Sequence, residues 1–339
     1  MPPFRRDLVV IGASAGGVEV LRTIVSALPP DFPAAVLVTM HLPAGTESAL
    51  ARILDRAGSL PARSARHGMP IEPGTVYVAP PDRHLLTGEE VLVLTQGPTE
   101  NGHRPAINAT FRSAALTHGP KAVGVVLSGV LDDGAAGLRA IVDRGGVAVV
   151  QDPVDALYSG MPANALALVD TEHVVRAVEL GALLDKLVRM PVEPAEVSPP
   201  AESLVLEDRI ARDSVRAGVF PPGDEESGSG YTCPDCQGAL TEVDPAGRYR
   251  CRIGHAWSAQ ALLAAHDGEF RFALQKALRA LDEKAGLARK LAAQLSGRHP
   301  GGLAERYAAS AREAAEAAET LRRFLLGTTD VVGEETTAP

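Results

Sequence analysis

The sequence predicts an α/β protein: a doubly wound, mostly parallel sheet flanked by helices, then a small zinc-ribbon-like module and a helical hairpin. Three observations predict it. Short continuous apolar runs alternate with helical patterns over residues 7–190, as expected of strands covered on both faces by crossover helices. All 3 cysteines fall between Cys233 and Cys251, close to the single tryptophan, Trp257. Residues 259–326 then carry Ala and Leu at a four–three spacing, the mark of helices packed side by side.

Residues 7–12 (DLVVIG) show no alternation and read as a first buried strand. Val18, Leu21, Val25 and Leu28 follow at helical spacing until Pro29 and Pro30 stop the helix. Residues 34–40 (AAVLVTM) form a second buried strand and residues 47–54 a second helix. Further strands are expected at 75–79, 91–95, 122–128 and 146–151, with a helix over 134–143 ended by Gly145 and Gly146. Residues 1–190 are therefore expected to be one domain. Pro191, Pro194, Pro199, Pro200 and the run GDEESGSG mark 191–230 as a linker, in which 204–219 has the spacing of a short helix. A cut near residue 195 is expected to leave a soluble, folded domain.

In the module at 231–258, residues 241–243 and 248–250 are expected to be strands. The first hairpin helix carries Leu274, Leu278, Leu281, Ala285, Ala288, Ala292 and Leu295 on one stripe. The second carries Leu303, Tyr307, Ser310, Ala314, Ala317, Leu321 and Phe324. Residues 297–302 (GRHPGG) supply the turn, and 327–339 a flexible tail. This stripe suits a hairpin, a helical partner or a dimer.

Hydrophobic residues make up 45% of the 339, enough to build a core. A net charge of −9 argues against nucleic acid or an anionic membrane as the main partner. No apolar run approaches the roughly 20 residues of a membrane span. Arg5 and Arg6 precede only a short apolar run, which suits a strand better than a secretion signal, so a cytoplasmic protein is expected.

Residues 12–17 (GASAGG) join the first strand to the first helix. Ser14 can cap that helix. The loop can also be read as a dinucleotide-binding turn, but that fingerprint wants Gly in place of Ser14 and an acid at the end of the second strand, where Thr39, Met40 and His41 stand. The third reading is a serine nucleophile on a strand-to-helix turn, beside backbone N–H groups. A serine needs a base, and His41 ends the second strand. Asp132 and Asp133 follow the strand at 122–128, where either can cap the next helix or orient an imidazole. If the strands are parallel, all three side chains share one sheet edge, where open α/β sheets bind ligands.

Six blocks occur in order: VVIGASAGG (9–17), HLP (41–43), VYVAPPDRHL (76–85), HRPAINATF (103–111), GVVLSGVLDDGAAG (124–137) and YSGMPANAL (158–166). Together they resemble the catalytic domain of the chemotaxis protein-glutamate methylesterases (CheB type), over roughly residues 7–190. The resemblance implies hydrolysis of γ-glutamyl methyl esters on the cytoplasmic helices of chemoreceptors, with release of methanol. Many members also deamidate receptor glutamines. It assigns Ser14 as nucleophile, His41 as general base and then acid, and Asp133, directly before Gly134, as the orienting carboxylate. It places oxyanion donors at the backbone N–H groups near Ala15 and Val130, and it calls for no catalytic cofactor. His103 and Arg104 are candidates for shaping the site, against the plain role of a turn before Pro105.

Departures from the family pattern are Ala15 where Thr is common, Val130 where Met is common, and Asp132 where Asn is common. A second carboxylate beside Asp133 is expected to raise the pKa of one of the pair and to favour imidazolium at His41. The catalytic strand begins at residue 7, so no N-terminal receiver domain is expected; the enzyme is expected to be either constitutive or controlled by a partner or the C-terminal part. Two other readings stay open: a non-catalytic scaffold that binds receptor-like helices, and a hydrolase of another carboxyl ester.

The C-terminal module has its own signature. Cys233-x₂-Cys236 is followed, after 14 residues, by Cys251-x₃-His255. Three thiolates and an imidazole on two knuckles match a tetrahedral structural zinc site with no open position. An odd cysteine count argues against a disulfide framework, and no thioredoxin-like unit surrounds the CxxC. So short a segment cannot hold a core alone, and metal would contribute its folding energy. Similar tails occur on some receiver-less methylesterase homologues.

Overall fold

The structure, a computed structural model, describes residues 5–42, 45, 48–192, 199–212, 228–244, 247–296 and 302–327. The chain divides into two compact units, Met1–Leu262 and Leu263–Pro339.

The first unit begins β1 (Leu8–Ala13), α1 (Gly17–Ala27), β2 (Ala35–Met40), α2 (Leu50–Asp55), β3 (Ala62–Ser64) and β4 (Val76–Val78). It continues with β5 (His84–Thr87), β6 (Leu92–Thr95), α3 (Ile107–His118), β7 (Ala122–Val126), α4 (Ala135–Asp143) and β8 (Val147–Gln151). Next come α5 (Gly160–Leu168), β9 (Val174–Val175), α6 (Ala177–Arg189) and α7 (Glu202–Arg212). β10 (Gly228–Thr232), β11 (Ala239–Asp244), β12 (Arg248–Cys251) and β13 (Ala256–Ser258) complete its strands.

One seven-stranded sheet runs β3-β4-β2-β1-β7-β8-β9, with every pairing parallel. β1 lies at its centre, wholly buried, with Leu8 level with Ala35 on one side and Ala122 on the other. Parallel neighbours need crossovers, and the helices supply them. Val9 and Ile11 face a core with Leu21 and Ile24 of α1 and Leu180 and Leu184 of α6. Leu8 and Val10 face the opposite core, with Phe111 of α3 and Leu138 and Ile141 of α4. Neighbouring residues of one strand therefore serve opposite faces, which is why the run has no polar alternation.

Several expectations change. The segment at 91–95 is a strand, but β6 pairs antiparallel with β5 in a two-stranded ribbon outside the main sheet. α2 starts at Leu50, whose N–H is accepted by Ser48 Oγ at 3.2 Å, and Glu47 lies outside the described residues. α3 was not expected: Ile107 through Ala115 are all buried, so no polar face marks its period. Within the expected linker, residues 202–212 form α7, and residues 213–219 lie outside the described residues.

β10 to β13 form a four-stranded antiparallel sheet that includes the two strands expected at 241–243 and 248–250. The sequence sets residues 231–258 apart, whereas in the structure this ribbon groups with the main sheet in one compact unit. A buried ionic network contributes. Arg112 of α3 pairs with both carboxylate oxygens of Glu100 and lies 3.4 Å from Glu207 of α7. Glu207 also meets Arg248 at 3.1 Å and Arg250 at 3.2 Å, both on β12. Burial pushes the Glu207 carboxyl up, but Arg112, Arg250 and Arg248 outweigh it and hold it at about 2.

The second unit carries the helical region, from α8 (Ala259–Leu295) and α9 (Leu303–Gly327). Ala285 and Ala288 are buried as the stripe on α8 requires. On α9 the buried line is Ala311, Ala314 and Ala318 rather than Ser310, Ala314 and Ala317, and Phe324 is half exposed. Neighbouring alanines offer no contrast, so their periodicity does not select a face. Phe270 meets Phe324 edge-to-face at 6.1 Å, and Arg322 reaches Asp282 at 3.1 Å. Residues 297–301 of the expected turn and the tail from 328 lie outside the described residues. Among the described residues no helix is long and apolar enough to cross a membrane.

Candidate active site

β2, β1 and β7 are adjacent and parallel, so the loops that follow them open at the same edge. Ser14 follows β1, His41 follows β2, and Asp133 lies in the loop after β7. The ladder extends to the site itself: Ser14 N–H donates to the Ser128 carbonyl at 3.0 Å, and His41 N–H to the Ala13 carbonyl at 3.3 Å.

The three side chains form one hydrogen-bonded row. Ser14 Oγ lies 3.1 Å from His41 Nδ1, and His41 Nε2 lies 2.7 Å from Asp133 Oδ2. The imidazole is 8% exposed and the carboxylate 2%. A buried carboxylate at Nε2 holds the proton there and leaves the Nδ1 lone pair for the serine hydroxyl. Ser14 does not cap α1 with its side chain, because the cap position belongs to Gly16 at φ 75°.

Asp133 is held by the start of α3. Its Oδ2 accepts the Ile107 N–H at 2.8 Å, and its Oδ1 accepts the Asn108 N–H at 3.0 Å. Burial pushes its pKa up. The hydrogen bond from His41, the charge of that ring and the two helix N–H groups outweigh burial and leave it at about 2. Asn108 serves in return: its Oδ1 accepts N–H groups of Gly134 at 3.1 Å and Gly137 at 2.7 Å, fixing the start of α4.

Asp132 stands at about 6, raised by burial and less by the charge of Asp133, while a hydrogen bond from Ser258 pulls it down. The pair thus splits as its proximity requires, with the raised member at Asp132. The native state binds this proton more tightly than the unfolded chain, whose ordinary value is 3.8. Stability therefore falls as pH rises from about 4 to about 6. Asp132→Asn is expected to raise the thermal unfolding midpoint at pH 7 by a few degrees, and to change it little at pH 4; equal shifts at both would contradict the assignment.

The nucleophile loop is packed from below. Ser128 Oγ donates to the Ala15 carbonyl at 2.8 Å and accepts the Tyr158 N–H at 3.0 Å. Gln151 Oε1 accepts the Ser128 N–H at 2.9 Å. Gly129 has no room for a side chain, since a Cβ would meet Met161 Sδ at 2.0 Å and Ser14 Cβ at 2.9 Å. Gly129→Ala is expected to lower ester hydrolysis about 100-fold by displacing Ser14, read from kcat of a folded variant. Unchanged kcat would show that the loop yields elsewhere. Among the described residues, neither the Ala15 nor the Val130 N–H is engaged in a hydrogen bond.

His103 and Arg104 part ways. The His103 ring stacks on His41, with centroids 3.7 Å apart and planes inclined by 11°. Burial, then the neighbouring His41, lowers its pKa to about 4, so it is neutral at pH 7. Arg104 instead binds Asp82 Oδ1 through Nη2 at 2.6 Å and Nε at 2.9 Å, and the Gly97 carbonyl at 2.8 Å. A cleft of about 810 Å³ opens beside the ribbon, lined in part by Asp132, Asn164, Glu207 and Trp257; Ser14, His41 and Asp133 do not line it.

The Cys/His group is assembled. The ligand atoms of Cys233, Cys236, Cys251 and His255 all lie within 4.8 Å of one another. Cys236 Sγ is 3.6 Å from Cys251 Sγ, and His255 Nδ1 is 3.5 Å from Cys251 Sγ and 3.7 Å from Cys233 Sγ. Metal–sulfur bonds of about 2.3 Å in a tetrahedron give edges of about 3.8 Å. The donor set and its spacing fit a zinc-class ion.

Sequence reasoning missed the residues that hold these loops: Asn108, Ser128 and Gln151. Asn108 sits inside a quoted block, but its work shows only once α3 is placed.

A parallel α/β sheet with a serine, an imidazole and a buried carboxylate hydrogen-bonded at its carboxyl edge has the architecture of a serine hydrolase. Residues 9–184 match the CheB methylesterase family, and the chain belongs to that family. It is 40% identical over 185 residues to a protein-glutamate methylesterase/protein-glutamine glutaminase of Anaeromyxobacter dehalogenans, covering 55% of this chain and 54% of the relative. It is 41% identical over 177 residues to one of Thiobacillus denitrificans, covering 51% and 49%. The chain thus spans about half the length of the curated relatives it matches. The crystal structure of the Thermotoga maritima CheB methylesterase catalytic domain matches with a TM-score of 0.52 at 33% identity, over 54% of this chain and 98% of that one.

Proposed function

We propose that this protein is a protein-glutamate methylesterase that hydrolyses γ-glutamyl methyl esters on chemoreceptor-like helices in the cytoplasm. One observation carries the reading: the unbroken row Ser14 Oγ, His41 Nδ1, His41 Nε2, Asp133 Oδ2. The names of the relatives support it.

In this mechanism Ser14 Oγ attacks the ester carbonyl and its proton passes to His41 Nδ1. Asp133 holds the ring and stabilises the imidazolium. The Ala15 and Val130 N–H groups receive the oxyanion, and one such donor is typically worth about 3 kcal/mol of barrier. Collapse expels methanol, which takes the proton from His41. Water, deprotonated by the same nitrogen, then hydrolyses the glutamyl-serine ester and restores the hydroxyl. Glutamine would follow the same course, with ammonia as the leaving group.

Residues 1–190 are the catalytic domain in this reading, 191–230 a linker, 231–258 the metal module, 259–326 a helical hairpin that can meet a helical partner or a second copy, and 327–339 a tail. Cys233, Cys236, Cys251 and His255 hold a structural zinc ion, which supplies folding energy and, with four protein ligands, offers no position to substrate. The test is mass analysis of a methylated receptor fragment after incubation with the chain. Loss of one methylene per site, absent with Ser14→Ala, supports the reading; an unaltered fragment overturns it.

A further inference from the structure

We propose that the Cys/His module is a metal-dependent brace of the active site, acting through the turn at residues 100–103 on the His103 ring that stacks against His41. The inference rests on the methylesterase reading and assigns a control element to that same site.

The contacts run in an unbroken path. Asp235 lies between the ligands Cys233 and Cys236, and its Oδ2 accepts the Thr99 hydroxyl at 2.6 Å. Ala256 follows the ligand His255. Its N–H donates to the Thr99 carbonyl at 3.1 Å, and its carbonyl accepts the Asn101 N–H at 2.7 Å. Asn101 Oδ1 accepts the Ser258 N–H at 2.8 Å. Glu100 and His103 exchange backbone hydrogen bonds at 3.1 and 2.9 Å, closing the turn that presents the His103 ring to His41. A second branch reaches the carboxylate side: Ser258 Oγ donates to Asp132 Oδ1 at 2.8 Å, next to Asp133.

The seating depends on the metal site for a physical reason. Among the described residues of the ribbon, only Cys233, Leu240, Cys251 and Trp257 are buried apolar groups, and two of these four are ligands. So small a core does not hold two knuckles in register without the ion. Both knuckles touch the 99–103 segment, one through Asp235 and the other through Ala256. Releasing them leaves the turn held to α3 through Glu100 and Arg112 but without its outer support, and loosens the ring that packs one face of His41. The direction of the effect follows from where the contacts land. Among the described residues, the ribbon's hydrogen bonds reach Thr99, Asn101, Asp132 and Glu207, not Ser14 or His41, so the ribbon supports the site rather than plugging it.

The test uses the full chain and four readouts: zinc content, emission of the single tryptophan, the rate of Ser14 labelling by a fluorophosphonate, and kcat and KM on a small ester. Trp257 is buried and lies against Gly102, so its emission reports the seating of the ribbon. Removing zinc with a chelator is expected to shift the emission to the red and to slow labelling and kcat about 10- to 100-fold with little change in KM. Restoring zinc is expected to reverse both. The double variant Asn101→Ala, Ser258→Ala keeps every ligand and removes two of the side-chain acceptors and donors on the path; it is expected to retain zinc and to label several-fold more slowly than the intact chain, whereas Ser258→Thr keeps the normal rate.

Zinc loss that moves the emission but leaves labelling unchanged overturns the brace, and faster labelling shows a cover instead. If the stripped chain precipitates, the double variant decides: zinc retained with an unaltered rate overturns the proposal. A chain that neither holds nor takes up zinc overturns the metal reading. A zinc-loaded chain never labelled at Ser14 overturns the hydrolase reading.

Discussion

Replacement of Ser14 or His41 by alanine is expected to cut ester hydrolysis by roughly 10⁶-fold, with little change in the unfolding midpoint for Ser14→Ala and a lower one for His41→Ala, which strips Asp133 of its partner. The two losses should not add, because hydroxyl and imidazole form one proton-transfer unit across 3.1 Å. The double variant is expected to be no slower than either single one, as measured by hydrolysis of a small ester at high enzyme concentration. A single variant that keeps a hundredth of the activity would mean that another residue supplies the nucleophile or the base. Ser14 itself is only partly buried and bears little on the core, so its loss reads as chemistry rather than folding.

Asp133→Asn is expected to cost about 10⁴-fold in kcat, the size seen when a buried triad carboxylate is neutralised with its geometry intact. The fold suffers too. His41 Nε2 and the Ile107 N–H converge on Oδ2 while the Asn108 N–H takes Oδ1, so an amide must turn its NH₂ toward at least one donor. That leaves buried polar groups unpaired, at about 1–3 kcal/mol. The pH dependence has a definite sign. Asp133 is held at about 2 against an ordinary 3.8, so its ionised form favours the native state. This contribution is fully present above about pH 4 and fades as pH falls toward 2; its size is on the order of 2 kcal/mol. Urea unfolding of wild type and Asp133→Asn should therefore show a gap at pH 7 that narrows at pH 2.5. A constant gap would mean that the carboxylate contributes shape, not charge.

The parts of this site that were legible share one cause. β1, β2 and β7 are buried on both faces, so their sequences are apolar runs broken only by the buried Thr39. Ser14 and His41 are the first polar residues past β1 and β2 and mark the sheet edge, and Asp133 lies in the loop that follows β7. The Cys/His spacing was legible because ligand types are scarce and their local intervals are fixed by knuckle geometry. What stayed hidden has causes of its own. α3 is buried on nearly every side from Ile107 to Ala115, which erases the helical period, and its N–H groups hold Asp133 by position rather than by residue type. The main-chain hydrogen bonds that seat the ribbon on residues 99–101 leave no trace in side-chain pattern. The Asn101 and Ser258 contacts join residues 157 apart in the chain, and no local reading pairs them. In α9 the abundance of alanine removed the contrast that tells Ala317 from Ala318.

The most direct test of the central claim is methanol release from a methylated chemoreceptor cytoplasmic fragment, comparing the intact zinc-loaded chain with Ser14→Ala. Catalytic release by the intact chain and none above background by the variant is the expected result. No release from an intact chain whose Ser14 still reacts with a fluorophosphonate would contradict it, leaving a serine hydrolase whose ester is not a receptor glutamyl ester.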